Sequence, residues 1–367
     1  MEKEYYLSIL SGQQRGFLAA LIRSSLSAFT YPYLVVLNTR NFLYRNGIAK
    51  SKSLPVKVIS IGNITTGGTG KTPLVEYLAR YLHKSNKKVA ILSRGYGDNN
   101  LSMADDNMSN EDNNFKKQHF INDEYLILRE NLKDVPVLLG KDRVKNGEKA
   151  IRDHDVDCLI LDDGFQHLRI KRDLDIVVID SLNPFGGEVL IPRGSLREPL
   201  KNLKRADLFV LSHCNQTNEH NLKSIYAKLH HINIDTPICE SIHKPLHIEN
   251  IRDSSILEPE LLKGKRIYGL SAIGNPESFA FTLKELGADL IKHRVFHDHH
   301  TYTQSEIDEV ISDAKTLGTD AILVTQKDIV KIRNMNTKDA NILSLKIEIQ
   351  ITKGMEFYEE YIRKKIM

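Results

Sequence analysis

A segment rich in glycine and threonine carries the most informative chemistry of the sequence. It reads TTGGTGKT and stands between the β-branched run 56–61 and a stretch in which leucine recurs at positions 74, 78 and 82. A turn of small residues between a strand and a helix lets backbone N–H groups surround a polyphosphate, and Pro73 suits the first turn of that helix. The strict GxxxxGK[ST] pattern lacks its first glycine, because Thr65 occupies that position. We predict a nucleoside triphosphate site formed by Thr65, Thr66, Gly67, Gly68, Thr69, Gly70, Lys71 and Thr72.

Lys71, Thr72 and a downstream aspartate supply the charges that a nucleotide and its metal ion need. We expect Lys71 to neutralise the β and γ phosphate oxygens and the Thr72 hydroxyl to hold Mg²⁺. A short apolar run ends in Asp162 and Asp163, a pattern that equally suits the cap of a turn. Together with the phosphate loop, it predicts Asp162 as a second Mg²⁺ ligand. Residues 325–328 read TQKD, with the lysine one place too late for a guanine-binding motif, which favours ATP over GTP.

Short apolar runs, most of them separated by helix-length segments, recur along the chain. They do not alternate polar and apolar residues, which is typical of parallel strands covered by helices on both faces. We therefore predict an α/β fold, a phosphate-loop NTPase-like parallel sheet sandwich with a second, smaller α/β lobe and a cleft between the lobes. The predicted strands are 56–61, 89–92, 135–139, 158–161, 176–179, 208–211, 267–270 and 321–324.

The chain divides into three predicted segments. Residues 1–50 form an apolar and basic N-terminal segment, residues 51–240 the nucleotide-binding core, and residues 241–367 the second lobe. Residues 98–118 contain six Asn, four Asp and one Glu, which predicts a solvated insertion within the core. The prolines and histidines of residues 236–250 indicate a connector, after which the alternation of strands and helices resumes.

Composition and charge exclude several classes of protein. Of the 367 residues, 41% are hydrophobic and 27% are charged, which is typical of a folded globular chain. The three cysteines form no CxxC pair, which argues against a thiolate zinc site or a disulfide framework and favours a reducing compartment. The net charge of +4 is concentrated in residues 1–57, whose local charge is +6. The nearly neutral remainder argues against a nucleic-acid partner, and the basic end predicts contact with an anionic surface.

The N-terminal stretch 17–37 is strongly apolar but is interrupted by Arg23 and Pro32. The longest uncharged run here, residues 24–39, has 16 residues, fewer than the roughly 18 to 20 of a spanning helix. It also lacks the positive start and the cleavage site of a signal peptide. Arginines and tyrosines flank and punctuate the stretch, which favours a segment lying in a membrane interface. A helical hairpin packed on the main domain is the alternative.

Several consecutive motifs carry a more specific resemblance. They are GNITTGGTGKTP (62–73), SRGYG (93–97), DDGFQHLRIKRDLDIVVID (162–180), FGGEVLIPRGSLREP (185–199) with RAD (205–207), and TQKD (325–328). Over residues 15–330 the chain resembles the tetraacyldisaccharide 4′-kinase family, and the DDGFQH and LREP blocks are specific to that family. The resemblance implies transfer of the ATP γ-phosphoryl group to the 4′-hydroxyl of a tetraacylated glucosamine disaccharide 1-phosphate, a step of lipid A biosynthesis. It places the reaction at the cytoplasmic face of a Gram-negative inner membrane and implies no obligate protein partner.

The same resemblance assigns roles to residues outside the phosphate loop. In the family, an aspartate of a GDE motif acts on the sugar hydroxyl with help from a histidine of a DH motif; the matching residues are Asp123 and His299, with Glu124 as a candidate Mg²⁺ ligand. The family-specific blocks would line the cleft with Arg94, Tyr96, Gln166, His167 and Arg197, of which the planar guanidinium of Arg197 suits a substrate phosphate. Asn122 replaces the usual glycine of the first motif, and Gly187-Glu188 stands where FGNG is usual. Local geometry at these two places is therefore in question.

Residue types alone leave other interpretations open. Acids such as Asp123 and Glu124 are favoured in a first helical turn by the helix dipole, and His299 would also fit a surface turn. Packing or local salt bridges would equally explain the cleft residues. Two other functions are compatible with the loop. One is a different ATP-dependent enzyme with a GGxGKT loop, against which Thr66 counts because several such enzymes carry lysine there. The other is a membrane-recruited switch ATPase.

Overall fold

The computed structural model describes residues 9, 14–94, 123–337 and 340–367. The predicted insertion 98–118, Tyr96 and Asn122 lie outside the described residues. The α-helices found in the described part are α1 (Phe17–Arg45), α2 (Lys71–Lys84), α3 (Asp123–Asn131), α4 (Arg143–His154), α5 (Glu219–Ile232), α6 (Pro276–Glu285), α7 (Gln304–Thr316), α8 (Gln326–Ile332) and α9 (Met355–Ile366). The strands are β1 (Lys57–Asn63), β2 (Val89–Ser93), β3 (Val137–Leu139), β4 (Cys158–Asp162), β5 (Leu174–Asp180), β6 (Leu208–Ser212), β7 (Ile238–Asn250), β8 (Ile256–Leu257), β9 (Arg266–Ser271), β10 (Asp289–Val295), β11 (Ala321–Thr325) and β12 (Ile342–Lys353).

These strands form one mixed sheet with the order β10-β9-β11-β12-β7-β6-β5-β1-β4-β2-β3, and β8 pairs with β7. Strands β1 to β6 pair in parallel and make the first half of the sheet, and β9 to β11 make a parallel second half. The long antiparallel pair of β7 and β12 joins the two halves. The predicted α/β fold class is confirmed. The domain boundary at residue 240 stays a prediction, because β7 runs through it.

The interpretation of residues 236–250 as a connector was wrong, because β7 occupies almost all of this segment. Its first residues pair in parallel with β6, and residues 240–250 pair antiparallel with β12. Pro245 lies opposite Ile347, next to a shift in register between Lys346 and Ile347. An irregularity of this kind tolerates a residue without an N–H group. Proline content therefore misled the sequence analysis.

The phosphate-loop strand lies in the middle of the first half. Strand β1 pairs with β4 on one side and β5 on the other, so its carboxyl end is surrounded by neighbouring strand ends. Helix α2 packs over these strands through Leu74, Leu78 and Leu82, which are fully buried in the core. Each such leucine stabilises the fold by about 1.5–3 kcal/mol. This burial fixes the direction in which α2 leaves the loop.

The N-terminal helix α1 is one continuous helix of 29 residues that passes through Pro32, and not a hairpin. By length and composition alone it would be able to cross a membrane. At least three residues attach it to the rest of the protein. Leu37 is buried in the core, Tyr33 Oη donates to the Arg197 carbonyl at 2.8 Å, and Arg40 forms an ion pair of 2.6 Å with Glu198. Its exposed apolar side chains are Phe17, Leu18, Leu21, Phe29, Tyr31, Val35, Val36 and Phe42.

Candidate active site

The loop predicted to bind phosphate connects the carboxyl end of β1 to α2. The Asn63 side chain donates to Thr69 Oγ1 at 3.0 Å, and Ser212 Oγ donates to the Thr69 carbonyl at 2.9 Å, which fixes the loop from two sides. Gly70 has a φ of +83°, and a Cβ on it would lie 2.6 Å from Nε2 of His243. Only glycine satisfies both conditions without strain.

The predicted loop residues do not all face the same way. Residues 67–72 line a cleft of about 220 Å³, with the Lys71 and Thr72 side chains buried at its base. Thr65 is buried and forms a bridge with Leu196, while Thr66 is exposed and its N–H donates to the Ser195 carbonyl at 2.8 Å. The first two threonines therefore anchor the loop against the 195–196 segment.

Asp163 is the partner of the phosphate-loop lysine. Its Oδ1 lies 3.6 Å from Lys71 Nζ, and both carboxylate oxygens accept hydrogen bonds from Arg197 Nη1 at 2.7 and 2.8 Å. Burial disfavours the charged carboxylate, but the charges of Lys71 and Arg197 outweigh burial and hold the pKa of Asp163 well below its usual range. Asp163 therefore holds Lys71 in place in the cleft.

Asp162 occupies a more enclosed position at the end of β4. The register of the parallel pair sets it beside Ile61 of β1, at the same sheet edge as the phosphate loop. Its Oδ2 accepts a hydrogen bond of 3.2 Å from Ser93 Oγ, and its Oδ1 has no partner among the described residues. Burial, reinforced by the nearby carboxyl groups of Glu124 and Asp163, raises the pKa of Asp162 to about 7. A buried carboxyl oxygen without a partner among the described residues is a suitable ligand for a cation.

The structure brings Asp123 and His299 together from 176 positions apart. Asp123 begins α3 and is only 4% exposed, and His299 lies in the loop after β10. Nδ1 of His299 lies 2.9 and 3.1 Å from the two carboxylate oxygens of Asp123. This hydrogen bond raises the pKa of His299 against the effect of partial burial, which favours the imidazolium form. The two residues thus form an ion pair across the cleft.

Two lysines of α8 complete the surroundings of the acidic pair. Lys327 Nζ donates to Glu124 Oε1 at 3.0 Å, and Lys331 Nζ lies 3.1 Å from Asp123 Oδ2. Burial disfavours ionisation of Asp123, but the His299 hydrogen bond and the two lysine charges prevail and lower its pKa well below the usual value. Asp123 is therefore ionised at neutral pH.

One cleft between the two halves of the sheet is lined by many of these groups, although Asp123, Asp162 and Lys331 lie behind its lining. On its far side Gly274 approaches the phosphate loop so closely that a Cβ on it would lie 2.4 Å from the Gly68 nitrogen. The apolar part of the lining is Ile127, Ile273, Phe279, Leu345 and Ile347, and the charged part includes Lys71, Glu124, Asp163, Arg197, Asp298, His299 and Lys327. A cleft with an apolar wall next to a phosphate loop suits a nucleotide, whose base is apolar and whose phosphates are charged.

A family model described as tetraacyldisaccharide-1-P 4′-kinase matches residues 22–366. The chain belongs to this family. A relative named tetraacyldisaccharide 4′-kinase from Halothermothrix orenii is 35% identical over 376 residues, covering 99% of this chain and 97% of the relative. The relative of that name from Elusimicrobium minutum is 37% identical over 335 residues, with coverages of 88% and 87%. The crystal structure of LpxK from Aquifex aeolicus in complex with ATP is similar with a TM-score of 0.70 and 29% identity, covering 94% of this chain and 100% of that one.

Membership of the 4′-kinase family makes the protein an ATP-dependent phosphotransferase. The family resemblance drawn from the motifs is thereby confirmed, and so is ATP as the nucleotide. The assignment of individual residues within the site stays a prediction, and the structure shows where each of them lies.

The predicted substrate residues of this 4′-kinase family member have different surroundings. Arg197 lines the cleft while bound to Asp163. Gln166 Nε2 donates to the Asn63 carbonyl at 2.9 Å and so supports the start of the phosphate loop. His167 is half-buried, and burial with the nearby Arg143 charge lowers its pKa to about 4, so it is neutral at pH 7. Arg94 is exposed directly after β2, and Tyr96 lies outside the described residues.

Sequence reasoning did not identify the lysines of α8. The TQKD motif was examined only for guanine recognition, yet its lysine contacts Glu124. A usable signal was present, because Lys327 and Lys331 are four positions apart and therefore lie on one face of a helix. Which acids they meet depends on the packing of α8 against α3, and this packing has no signature in either segment alone.

Proposed function

We propose that this member of the 4′-kinase family transfers the γ-phosphoryl group of ATP to the 4′-hydroxyl of a tetraacylated glucosamine disaccharide 1-phosphate, a lipid A precursor. One observation carries the proposal: Lys71 of the phosphate loop and His299, which contacts Asp123, line the same cleft. A phosphate-binding cation and a residue able to receive a proton are the two parts that phosphoryl transfer to a hydroxyl requires.

In the proposed reaction, Asp123 accepts the proton of the 4′-hydroxyl while the hydroxyl oxygen bonds to the γ-phosphorus. The bond between that phosphorus and the bridging oxygen breaks, and ADP leaves. His299 donates a hydrogen bond from Nδ1 to Asp123 and orients its carboxylate. Lys71 neutralises the charge on the transferring group. The low pKa of Asp123 makes it a weak base. Asp123 therefore contributes to the rate more by orienting the hydroxyl than by removing its proton early, which agrees with a loose transition state.

Mg²⁺ accompanies ATP in this proposal, and the residues that would hold it are Thr72, Asp162 and Glu124. A hydroxyl and two carboxylates supply the oxygen ligands that Mg²⁺ prefers. The buried Oδ1 of Asp162, which lacks a partner among the described residues, supports the fit. When bound, the ion would neutralise charge on the β and γ phosphates. Glu124 is paired with Lys327 and would have to exchange that partner.

Binding of the lipid is assigned to the family-specific residues and to α1. Arg197, at the cleft wall, is proposed to contact the substrate phosphate, and the other four residues of this group, Arg94, Tyr96, Gln166 and His167, are proposed to line the nucleotide or sugar site. The exposed apolar side chains of α1, with Arg15 and Arg23 near its start, are proposed to lie in an anionic membrane interface. This corresponds to peripheral or monotopic association with the cytoplasmic face of the inner membrane.

The proposal is tested by incubating the protein with the disaccharide lipid and ATP labelled at the γ-phosphate. Label in a chloroform-soluble product is expected. Lys71→Ala, with unchanged thermal unfolding, should abolish this product, because the lysine stabilises transition-state charge by several kcal/mol. Release of free phosphate without labelled lipid would instead indicate the switch ATPase, and a folded Lys71→Ala protein with near-normal turnover would contradict the nucleotide site.

A further inference from the structure

Two consecutive acids of α3 meet two lysines of α8 that are one helical turn apart. Lys327 contacts Glu124, and Lys331 contacts Asp123. The first pair lies where phosphates and a metal ion would bind, so a cation there is expected. Lys331 is different, because its partner is the carboxylate proposed to receive the hydroxyl proton, and only 15% of its side chain is exposed.

The Asp123 carboxylate is held at both of its oxygens. Oδ1 accepts from Nδ1 of His299 at 2.9 Å and from the backbone N–H of Glu124 at 3.0 Å. Oδ2 lies 3.1 Å from Lys331 Nζ and 3.1 Å from the same His299 nitrogen. His299 contacts both oxygens with the same nitrogen, Nδ1, whereas the contact of Lys331 is with Oδ2. Its contact is an ion pair, because Lys331 Nζ has no hydrogen-bond partner among the described residues. Without it, Oδ2 would keep only the hydrogen bond of 3.1 Å that His299 shares between the two oxygens.

Lys331 and His299 reach Asp123 from one framework. Asp328, one turn before Lys331 on α8, is fully buried and accepts a hydrogen bond of 2.9 Å from Tyr302 Oη. Tyr302 follows His299 by three residues, so this bond joins the His299 loop to α8. The second half of the sheet therefore presents both cations to Asp123 together.

We propose that Lys331 is a positioning residue for phosphoryl transfer, which fixes Oδ2 of Asp123 so that the carboxylate keeps one orientation toward the acceptor hydroxyl. The inference rests on the proposed role of Asp123 as the proton acceptor. The proton of the hydroxyl goes to Asp123, and Lys331 acts only through its contact with that carboxylate. A salt bridge that serves only to join α3 and α8 is the competing interpretation.

The test compares Lys331→Met, which keeps the length of the side chain without its charge, with Lys331→Arg, which keeps the charge. Lys331→Gln is measured alongside, so that a methionine variant that does not fold leaves the comparison intact. The control is Lys223→Met, which removes an exposed lysine paired with Glu219 on α5, far along the chain from the cleft. We measure kcat with the lipid, the Kd for ATP and thermal unfolding of each variant.

Lys331→Met and Lys331→Gln should lower kcat about 10- to 100-fold, the cost of a misplaced catalytic group. The Kd for ATP should not change, Lys331→Arg should recover most of the loss, and Lys223→Met should match the wild type. Adding Lys331→Met to Asp123→Asn should cost nothing more, because the lysine acts through that carboxylate.

A wild-type kcat for both neutral variants would overturn the inference. Losses that multiply with the loss from Asp123→Asn would also overturn it. The same holds if the affinity for ATP weakens in proportion to the loss of kcat and Lys331→Arg recovers neither, because a purely structural salt bridge would behave in this way. A wild-type kcat for Asp123→Asn alone would refute the role of Asp123 and thereby the proposed mechanism. The two failures are distinguishable because they appear in different variants.

Discussion

A double-mutant cycle on Asp123 and His299 is the sharpest test of the proposed catalytic pair. Asp123 is almost fully buried, whereas 48% of the His299 side chain is exposed. Asp123→Ala removes the proposed proton acceptor, so we expect kcat to fall about 10²- to 10⁴-fold. His299→Ala leaves Lys331 on Oδ2 of the same carboxylate, so we expect a smaller loss of about 10- to 100-fold.

The magnitude of the coupling follows from these contacts. The two losses correspond to about 2.7–5.5 and about 1.4–2.7 kcal/mol of transition-state stabilisation. If His299 acts only by orienting Asp123, its contribution disappears once Asp123 is absent, and the double variant should equal Asp123→Ala. The coupling energy is then the whole loss from His299→Ala, about 1.4–2.7 kcal/mol. Independent residues would instead give a combined loss of about 10³- to 10⁶-fold.

The assay is the initial rate of label transfer into the chloroform-soluble product, expressed as kcat/KM for the lipid at saturating ATP. Thermal unfolding of each variant separates loss of chemistry from loss of fold. His220→Ala, a change at an exposed histidine of α5, is the matched control and should leave kcat/KM unchanged. Additive penalties for Asp123 and His299 would refute the pair even if each residue proved important, and a silent His299→Ala would reduce it to a surface histidine.

Three further predictions concern the N-terminal helix α1, its attachment to the rest of the protein and the pH dependence of stability. Deleting residues 1–45 should move the protein from sedimented anionic vesicles to the supernatant. Binding of the intact chain to the vesicles should weaken with salt, because each arginine near the membrane surface contributes about 1 kcal/mol to the binding free energy. Unchanged sedimentation after the deletion would place the docking surface elsewhere. Glu198→Ala should lower the free energy of unfolding by about 3 kcal/mol in a urea titration, since this fully buried carboxylate pairs with Arg40 of α1 and with Arg205. A change in this free energy no larger than the experimental error would show that water solvates the two partly exposed arginines as well as the carboxylate does. The difference in unfolding free energy between wild type and His299→Ala should have its full value below the ordinary histidine pKa of about 6.5, where the imidazole is charged. It should vanish as pH rises through the raised pKa of His299. A difference that grows with pH would contradict the pairing with Asp123.

The first half of the site was predictable because its chemistry is local in sequence. A stretch of about a dozen residues was enough to recognise each of its parts: the phosphate loop, the helix that follows it and the aspartates at the end of β4. Asp162 was predicted at the end of a second strand, and the register of Ile61 with Asp162 places it beside the phosphate-loop strand. Local periodicity and residue type were sufficient here.

The second half was less predictable because its elements are defined by pairing and not by local pattern. Strand β7 was interpreted as a connector since its polar residues and Pro245 obscure a strand pattern, and only pairing with β12 makes it a strand. The contact of Lys331 with Asp123 likewise depends on a helix-to-helix approach between residues 208 positions apart. The Asp123–His299 pair was anticipated from the family motifs and not from any property of the two segments.

The division of the site between the two halves has a physical consequence for its chemistry. Apart from the backbone N–H of Glu124, the groups that hold the Asp123 carboxylate, His299 and Lys331, come from the second half. The orientation of the Asp123 carboxylate, the proposed proton acceptor, therefore depends on the relative position of the halves. Lys71 and Asp163, in contrast, both belong to the first half. A nucleotide that filled the cleft would contact both sides, so its binding energy would be available to fix the proposed proton acceptor for transfer.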